Sequence, residues 1–319
     1  MSKSKNILVL EGGGAKGPLE VGMLETLEKN TGKKTYEIFD MVFTTSIGAV
    51  IGSILGTGLY SAAELNEILM KELPNVFKPR NPFSRLLPPI YDINTYRYLY
   101  VTYVESRLRK QVKMGDMKNK FAYTTINMCD GLNHFFKSWK PDEAEERMID
   151  SAPRSFAAPY FFGQIEDKKN KSVWLDGGCG PLNLPLWEAF IEANKHNWFN
   201  GKNSVHILAL GSGRPKLHMG FREATKGGPI RSTARAVKYF TSISEGGLAR
   251  AQSTMVQVKN MKSLSESMDN FTFQFVDWKG MPEELDKMDN VDARFEYAKK
   301  GRELGEKINI NFLKQGDVL

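Results

Sequence analysis

Histidine and cysteine are scarce here, with four and two in 319 residues. Cys129 and Cys179 supply neither a disulfide framework nor a metal-ligand spacing, which suits a reducing compartment. The histidines are scattered, so no zinc site and no metal can be argued. A secretion signal is also missing: the basic start Met1-Ser2-Lys3-Ser4-Lys5-Asn6 is followed only by the short apolar run Ile7 to Leu10. A cytoplasmic location is therefore expected. Charge is absent from Met41 to Ala63, about the length of a membrane span, and Gly48, Gly52 and Gly56 repeat at a four-residue spacing. Thr44, Thr45, Ser46, Ser53, Thr57, Gly58 and Ser61 dilute that stretch, so a buried strand and a close-packed central helix explain it better. Repeats, low-complexity tracts and a clear linker are lacking too, which favours one domain over residues 1–319. What is present is ordinary for a globular chain, with 41% hydrophobic and 25% charged residues. The formal charge of +7 favours an anionic partner, a phospholipid surface or nucleic acid, without choosing between them.

Thr44-Thr45-Ser46-Ile47-Gly48 follows the apolar run Met41-Val42-Phe43 and leads into a small-residue helix. A strand breaking into a helix with serine at the break is the layout of a nucleophile elbow. A helix N-terminus also favours developing negative charge. Thr44 stands where the first elbow glycine would be.

Upstream, Asn6 to Leu10 reads as a buried strand ending at Glu11-Gly12-Gly13-Gly14-Ala15-Lys16-Gly17, with a helix after it closing near Gly32. Such a loop can point several backbone N–H groups at one anion. It satisfies the dinucleotide fingerprint formally, but Thr44 to Ser46 stands where the ribose-binding acid should be. No Lys-Ser or Lys-Thr pair follows Gly17, as a Walker A loop requires. The other reading is an oxyanion hole.

Further on, Ala62 to Glu72 reads as a helix, and the prolines of 73–91 preclude a regular one there. Lys78, Arg80 and Arg85 with Phe77 and Phe83 make that stretch either a lid meeting lipid phosphates or an ordered connection. Tyr96 to Lys110 predicts a helix, 121–126 and 134–139 a hairpin, and Asp142 to Asp150 a short helix. Ala158-Pro159-Tyr160-Phe161 suits a wall near a substrate channel, with core packing as the default. Val173-Trp174-Leu175 is a strand ending in Asp176-Gly177-Gly178, where the acid either faces a site or caps a turn. Asn183 to Ala193 reads as a helix, Ser204 to Leu210 as a strand, and Arg214 to Lys238 as a basic, solvated loop and helix face. One strand from Phe271 and a final helix near 291–312 close the chain.

The glycine loop, serine elbow, Ala-Pro-Tyr-Phe block and Asp-Gly-Gly, in that order, resemble the patatin-like phospholipases. The likeness runs over about 6–215 and includes the strand into Gly211-Ser212-Gly213; 216–319 carries no matching motif and is expected as a helical-rich extension packed on that core. The resemblance implies an α/β fold, a three-layer α/β/α sandwich around a central, mostly parallel sheet. It also implies a phospholipase A type acyl hydrolase without cofactor. Ser46 would be the nucleophile and Asp176 the base, with Gly12, Gly13, Gly14, Ala15, Lys16 and Gly17 forming the oxyanion loop and Gly48, Gly177 and Gly178 supporting the elbow and the acid. Expected partners are a phospholipid surface, anionic lipid favoured, and an activator of unspecified chemistry; nucleic acid is not expected. Three departures from the family pattern stand out: Glu11 for Asp, Thr44 for Gly, and one extra residue before Asn183 and Pro185. Lys16 keeps a basic charge in the loop but lacks the fork of an arginine. The rivals are a Ser–Asp–His triad using His196, His206 or His218, and a silent lipid- or nucleotide-binding protein in the same pocket.

Overall fold

A computed structural model describes residues 3–215, 228 and 248–314. An eight-stranded sheet forms its centre, in the spatial order β5-β6-β3-β2-β1-β7-β8 with β4 also paired to β3. The strands are β1 Lys3–Leu10, β2 Met41–Thr45, β3 Lys120–Asn127, β4 Leu132–Lys137, β5 Ile165–Asp167, β6 Ser172–Asp176, β7 Asn203–Leu210 and β8 Phe271–Val276. From β3 to β8 through β2, β1 and β7 all neighbours run parallel, whereas β4, β5 and β6 pair antiparallel. Parallel strands covered on both faces read as continuous aliphatic runs, and Ile7-Leu8-Val9-Leu10 is such a run.

Side chains along β1 alternate between two cores, Leu8 and Leu10 on one face and Ile7 and Val9 on the other. Helices α1 Gly17–Thr31, α2 Ile47–Leu55 and α3 Ala62–Val76 cover the first face. Helices α4 Leu186–Lys195 and α5 Leu248–Ser267 cover the second. The chain thus makes the three-layer α/β/α sandwich that its motifs imply. The uncharged stretch from Met41 is β2 plus α2, both within the sandwich. No helix among the described residues is long and apolar enough to cross a membrane.

Two local readings are corrected. Helix α3 continues through Pro74 to Val76, because Leu69, Leu73 and the following Phe77 are buried; that packing outweighs a proline penalty of about 3 kcal/mol. The segment 142–150 is not one helix: short turns at Pro141–Ala144 and Met148–Ser151 flank Arg147, which bridges to Lys113 in extended conformation. In the last third, the strand read from Phe271 is β8, which extends the sheet beside β7, and helix α6 Arg294–Gly305 lies along α1. Of the basic stretch read over 214–238, only Arg214, Pro215 and Gly228 fall within the described residues.

Candidate active site

The site arises where two strands end on a third. β2 runs beside β3 only as far as Thr45, opposite Thr124. β4 occupies the other edge of β3 from Ala122 to Asn127, so β6, pairing with 125–127, must lie on the edge that β2 has just left. β6 arrives antiparallel and ends at Asp176, opposite Thr125. Two strand ends therefore meet along β3, with Ser46 at one and Asp176 at the other. Ser46 Oγ donates to Asp176 Oδ2 at 2.9 Å, and the second carboxylate oxygen accepts from Gly178 N–H at 2.7 Å. Both residues are 3% exposed.

Ser46 links strand to helix at φ 54° and ψ −121°, a conformation that costs a non-glycine residue of order 1–3 kcal/mol. Its surroundings hold it there. Ser46 N–H donates to Ser155 Oγ at 3.0 Å, and that hydroxyl donates to the Thr124 carbonyl at 2.8 Å. The absent elbow glycine is compensated one turn into α2: a Cβ on Gly52 would lie 3.0 Å from Thr44 Cγ2 and 2.7 Å from the Phe121 ring. Thr44 is fully buried, and its hydroxyl donates to the Ala122 carbonyl at 3.0 Å.

The glycine loop lies against the dyad but divides its N–H groups. Gly12 N–H is bound to the Asn183 carbonyl at 3.2 Å and Ala15 N–H to the Met288 carbonyl at 2.7 Å, while Lys16 N–H turns back to Gly13. Gly17 N–H is bound to the Gly14 carbonyl. Among the described residues no hydrogen bond is formed by the N–H of Gly13 or Gly14. Asn183 fixes the loop twice, since its side-chain amide also donates to the Gly12 carbonyl at 3.0 Å. Glu11 braces the far side, accepting from Arg214 at 2.7 Å and from Ser212 N–H at 3.0 Å. Behind it, fully buried Glu20 accepts from Glu11 N–H at 2.8 Å. Burial first, and the Glu11 charge second, push the Glu20 carboxyl well above its usual range. Lys16 is committed to a buried ion pair with Asp286 at 2.6 Å, both side chains under a fifth exposed.

An apolar slot opens from Ser46 and Gly14 between Val50, Leu73, Phe77 and Phe162, with Met288 across it. Phe156 and Phe162 line the slot on either side of the Ala-Pro-Tyr-Phe block, whose Ala158 and Phe161 are buried in the core. The described histidines sit elsewhere. His206 lies on β7 opposite Asn6, four residues before the strand ends, or about 13 Å along it. It bonds Thr272, and burial lowers it to about 4. His196 stacks on Trp198 and meets Trp139 edge-on. His218 falls outside the described residues.

The family model of patatin-like phospholipases matches residues 8–190. The chain belongs to the patatin-like phospholipase family. Among its relatives, a cGAMP-activated phospholipase of Escherichia coli is 27% identical over 224 residues, 65% of this chain and 61% of that protein. A cGAMP-activated phospholipase of Vibrio cholerae is 27% identical over 209 residues, 58% of this chain and 57% of that one. The chain thus spans about three fifths of the length of these curated relatives. VipD from Legionella pneumophila aligns over 98% of this chain and 67% of its own, with a TM-score of 0.43 and 13% identity.

Ser155 carries a part that sequence reading missed, and Asn183 one that it saw only as a family position. Ser155 lies 109 residues from its partner at Ser46, and Asn183 lies 171 from Gly12. A serine between Arg154 and Phe156 gives no sign of such a contact; the Asn-x-Pro spacing was the available signal for Asn183.

Proposed function

We propose that this chain is a lipid acyl hydrolase of phospholipase A type, working through a Ser46–Asp176 dyad. The observation that carries this reading is the 2.9 Å hydrogen bond from Ser46 Oγ to Asp176 Oδ2 on a strained strand-to-helix turn. Ser46 Oγ attacks the ester carbonyl carbon as its proton passes to Asp176. The oxyanion is held by the N–H groups of Gly13 and Gly14, a pair of donors worth about 2.7–4 kcal/mol of barrier each. Collapse breaks the ester bond, and Asp176 returns the proton to the departing lysolipid oxygen. Water then attacks the acyl-serine, giving its proton to Asp176, and the free fatty acid leaves as Ser46 Oγ recovers a proton.

The substrate would be drawn from a phospholipid surface. Phe83, Leu86 and Leu87 are 65–79% exposed, on a loop that also carries exposed Lys78, Arg80 and Arg85. That loop is tied to the pocket wall through Ile90 N–H to the Tyr160 carbonyl and Tyr91 N–H to the Phe161 carbonyl. Apolar tips between cations, beside an acyl slot, fit a bilayer interface rich in anionic lipid. The relatives' names extend the reading to control: a cyclic dinucleotide is the activator class we infer for this chain.

The test is release of fatty acid from phospholipid vesicles, with and without cGAMP, alongside labelling by a fluorophosphonate. Ser46→Ala should abolish both, and Asp176→Asn should lower turnover by at least about 10³-fold. Full activity in folded Ser46→Ala protein would end the proposal.

A further inference from the structure

Resting on that reading, we propose that Pro282–Asn290 is a latch, holding the acyl slot closed and one N–H of the glycine loop occupied until it is released. The slot measures about 70 Å³, far below the roughly 300–1,000 Å³ of ordinary ligand pockets. It has room for a few water molecules, not for a long acyl chain. Its other walls are the helices and aromatic side chains of the sandwich: Leu73 and Val76 of α3, Phe156 and Phe162. Met288 alone comes from outside that framework. Its carbonyl and Cγ press on Gly14 so closely that a Cβ at Gly14 would collide with both.

The segment is held by separate polar ties rather than by a core of its own. Asp286 pairs with Lys16 at 2.6 Å, and the Met288 carbonyl takes Ala15 N–H at 2.7 Å. Asp289 accepts from Tyr91 at 2.6 Å, and the Leu285 carbonyl from Tyr297 at 2.7 Å. Only a single 3-10 turn, Glu283–Leu285, is regular, and Glu283, Glu284 and Lys287 are exposed. Its apolar side chains Leu285 and Met288 are only partly buried against the main core, so the stretch opens at lower cost than α3, which cannot move without breaking that core. Every tie falls on the oxyanion loop, on the base of the interfacial loop, or on α6, so an event at the membrane-facing loop reaches the slot through Tyr91. Release widens the slot and returns Ala15 N–H to the loop.

Tyr91→Phe removes one tie, and Asp289→Ala removes that tie and the 3.9 Å ion pair with Arg85, all outside the dyad and the glycine loop. Tyr91→Phe also keeps the ring that packs on Phe77, Phe161 and Phe162. Two readouts are taken without activator: the affinity for a fluorescent fatty acid, and the rate of fluorophosphonate labelling at Ser46. Losing a hydrogen bond to a carboxylate should raise both by on the order of tenfold or more. Wild-type fatty-acid affinity and wild-type labelling in both folded variants would overturn the latch while leaving the hydrolase standing. Raised fatty-acid affinity with no labelling in any form of the protein would uphold the latch and remove the nucleophile.

Discussion

Thr44 and Gly52 form one steric unit although eight residues separate them in sequence. The elbow leaves no room for a β-branched side chain beside an ordinary helix, and the missing Cβ at Gly52 supplies it. Gly52→Ala should therefore cost about 1–3 kcal/mol by overpacking against Thr44 and Phe121. Thr44→Gly, neutral or harmful alone, should recover part of that loss in the double variant. Urea unfolding of the four proteins measures the coupling, and strict additivity would show that the two side chains do not share the space. At this scale Ser46, Asp176 and the glycine loop, which the fold brings together, could be singled out from sequence because motif spacing marks them. The grip of Ser155 on the elbow could not, because a buried hydroxyl 109 residues away leaves no local pattern.

Between elements, the placement of Asp176 depends on β6 taking over the edge of β3 at the point where β2 leaves it. Sequence patterning located β2, β3 and β6 individually, yet nothing local says that β6 runs antiparallel into the end of β2. Helix limits were least legible where tertiary burial overrode local preference, as at Pro74. Packing also produces a pH effect at the start of α1. Glu20 has its folded-state pKa raised by burial, so the native chain holds a proton that the unfolded chain releases above about 4.5. The stability it contributes is complete below that pH and is lost as pH rises toward the folded value. Glu20→Gln keeps an acceptor for Glu11 N–H but cannot ionise. Its stability relative to wild type should therefore improve from pH 4.5 to pH 8 in denaturant titrations. A difference independent of pH would mean that Glu20 keeps an ordinary carboxyl.

Across the whole molecule, one sheet carries the site at one end and an apolar, cation-flanked loop beside it. Burying a leucine contributes roughly 1.5–3 kcal/mol, so Leu86→Asp with Leu87→Asp should weaken partition onto anionic vesicles by at least about tenfold. Turnover of a small soluble ester should be unchanged, and wild-type binding should fall as salt rises. Equal partition of variant and wild type would count against a bilayer contact at this loop. The sandwich itself was legible through the resemblance its motifs carry, but the place of β8 in the sheet was not. A lone strand far down the chain carries no mark of its neighbour.

The position of β1 bears on how the chain is made. It is the strand from which the glycine loop departs, and it needs β2 on one edge and β7 on the other. β7 ends at Leu210, so the ribosome must deliver about two thirds of the 319 residues before that second edge is paired. At about 5–20 residues per second, β1 waits roughly 10–40 s. Through that interval Ser46 exists without a finished loop, and for most of it without Asp176. On the proposed reading, a nascent polypeptide therefore holds no complete dyad for most of its synthesis.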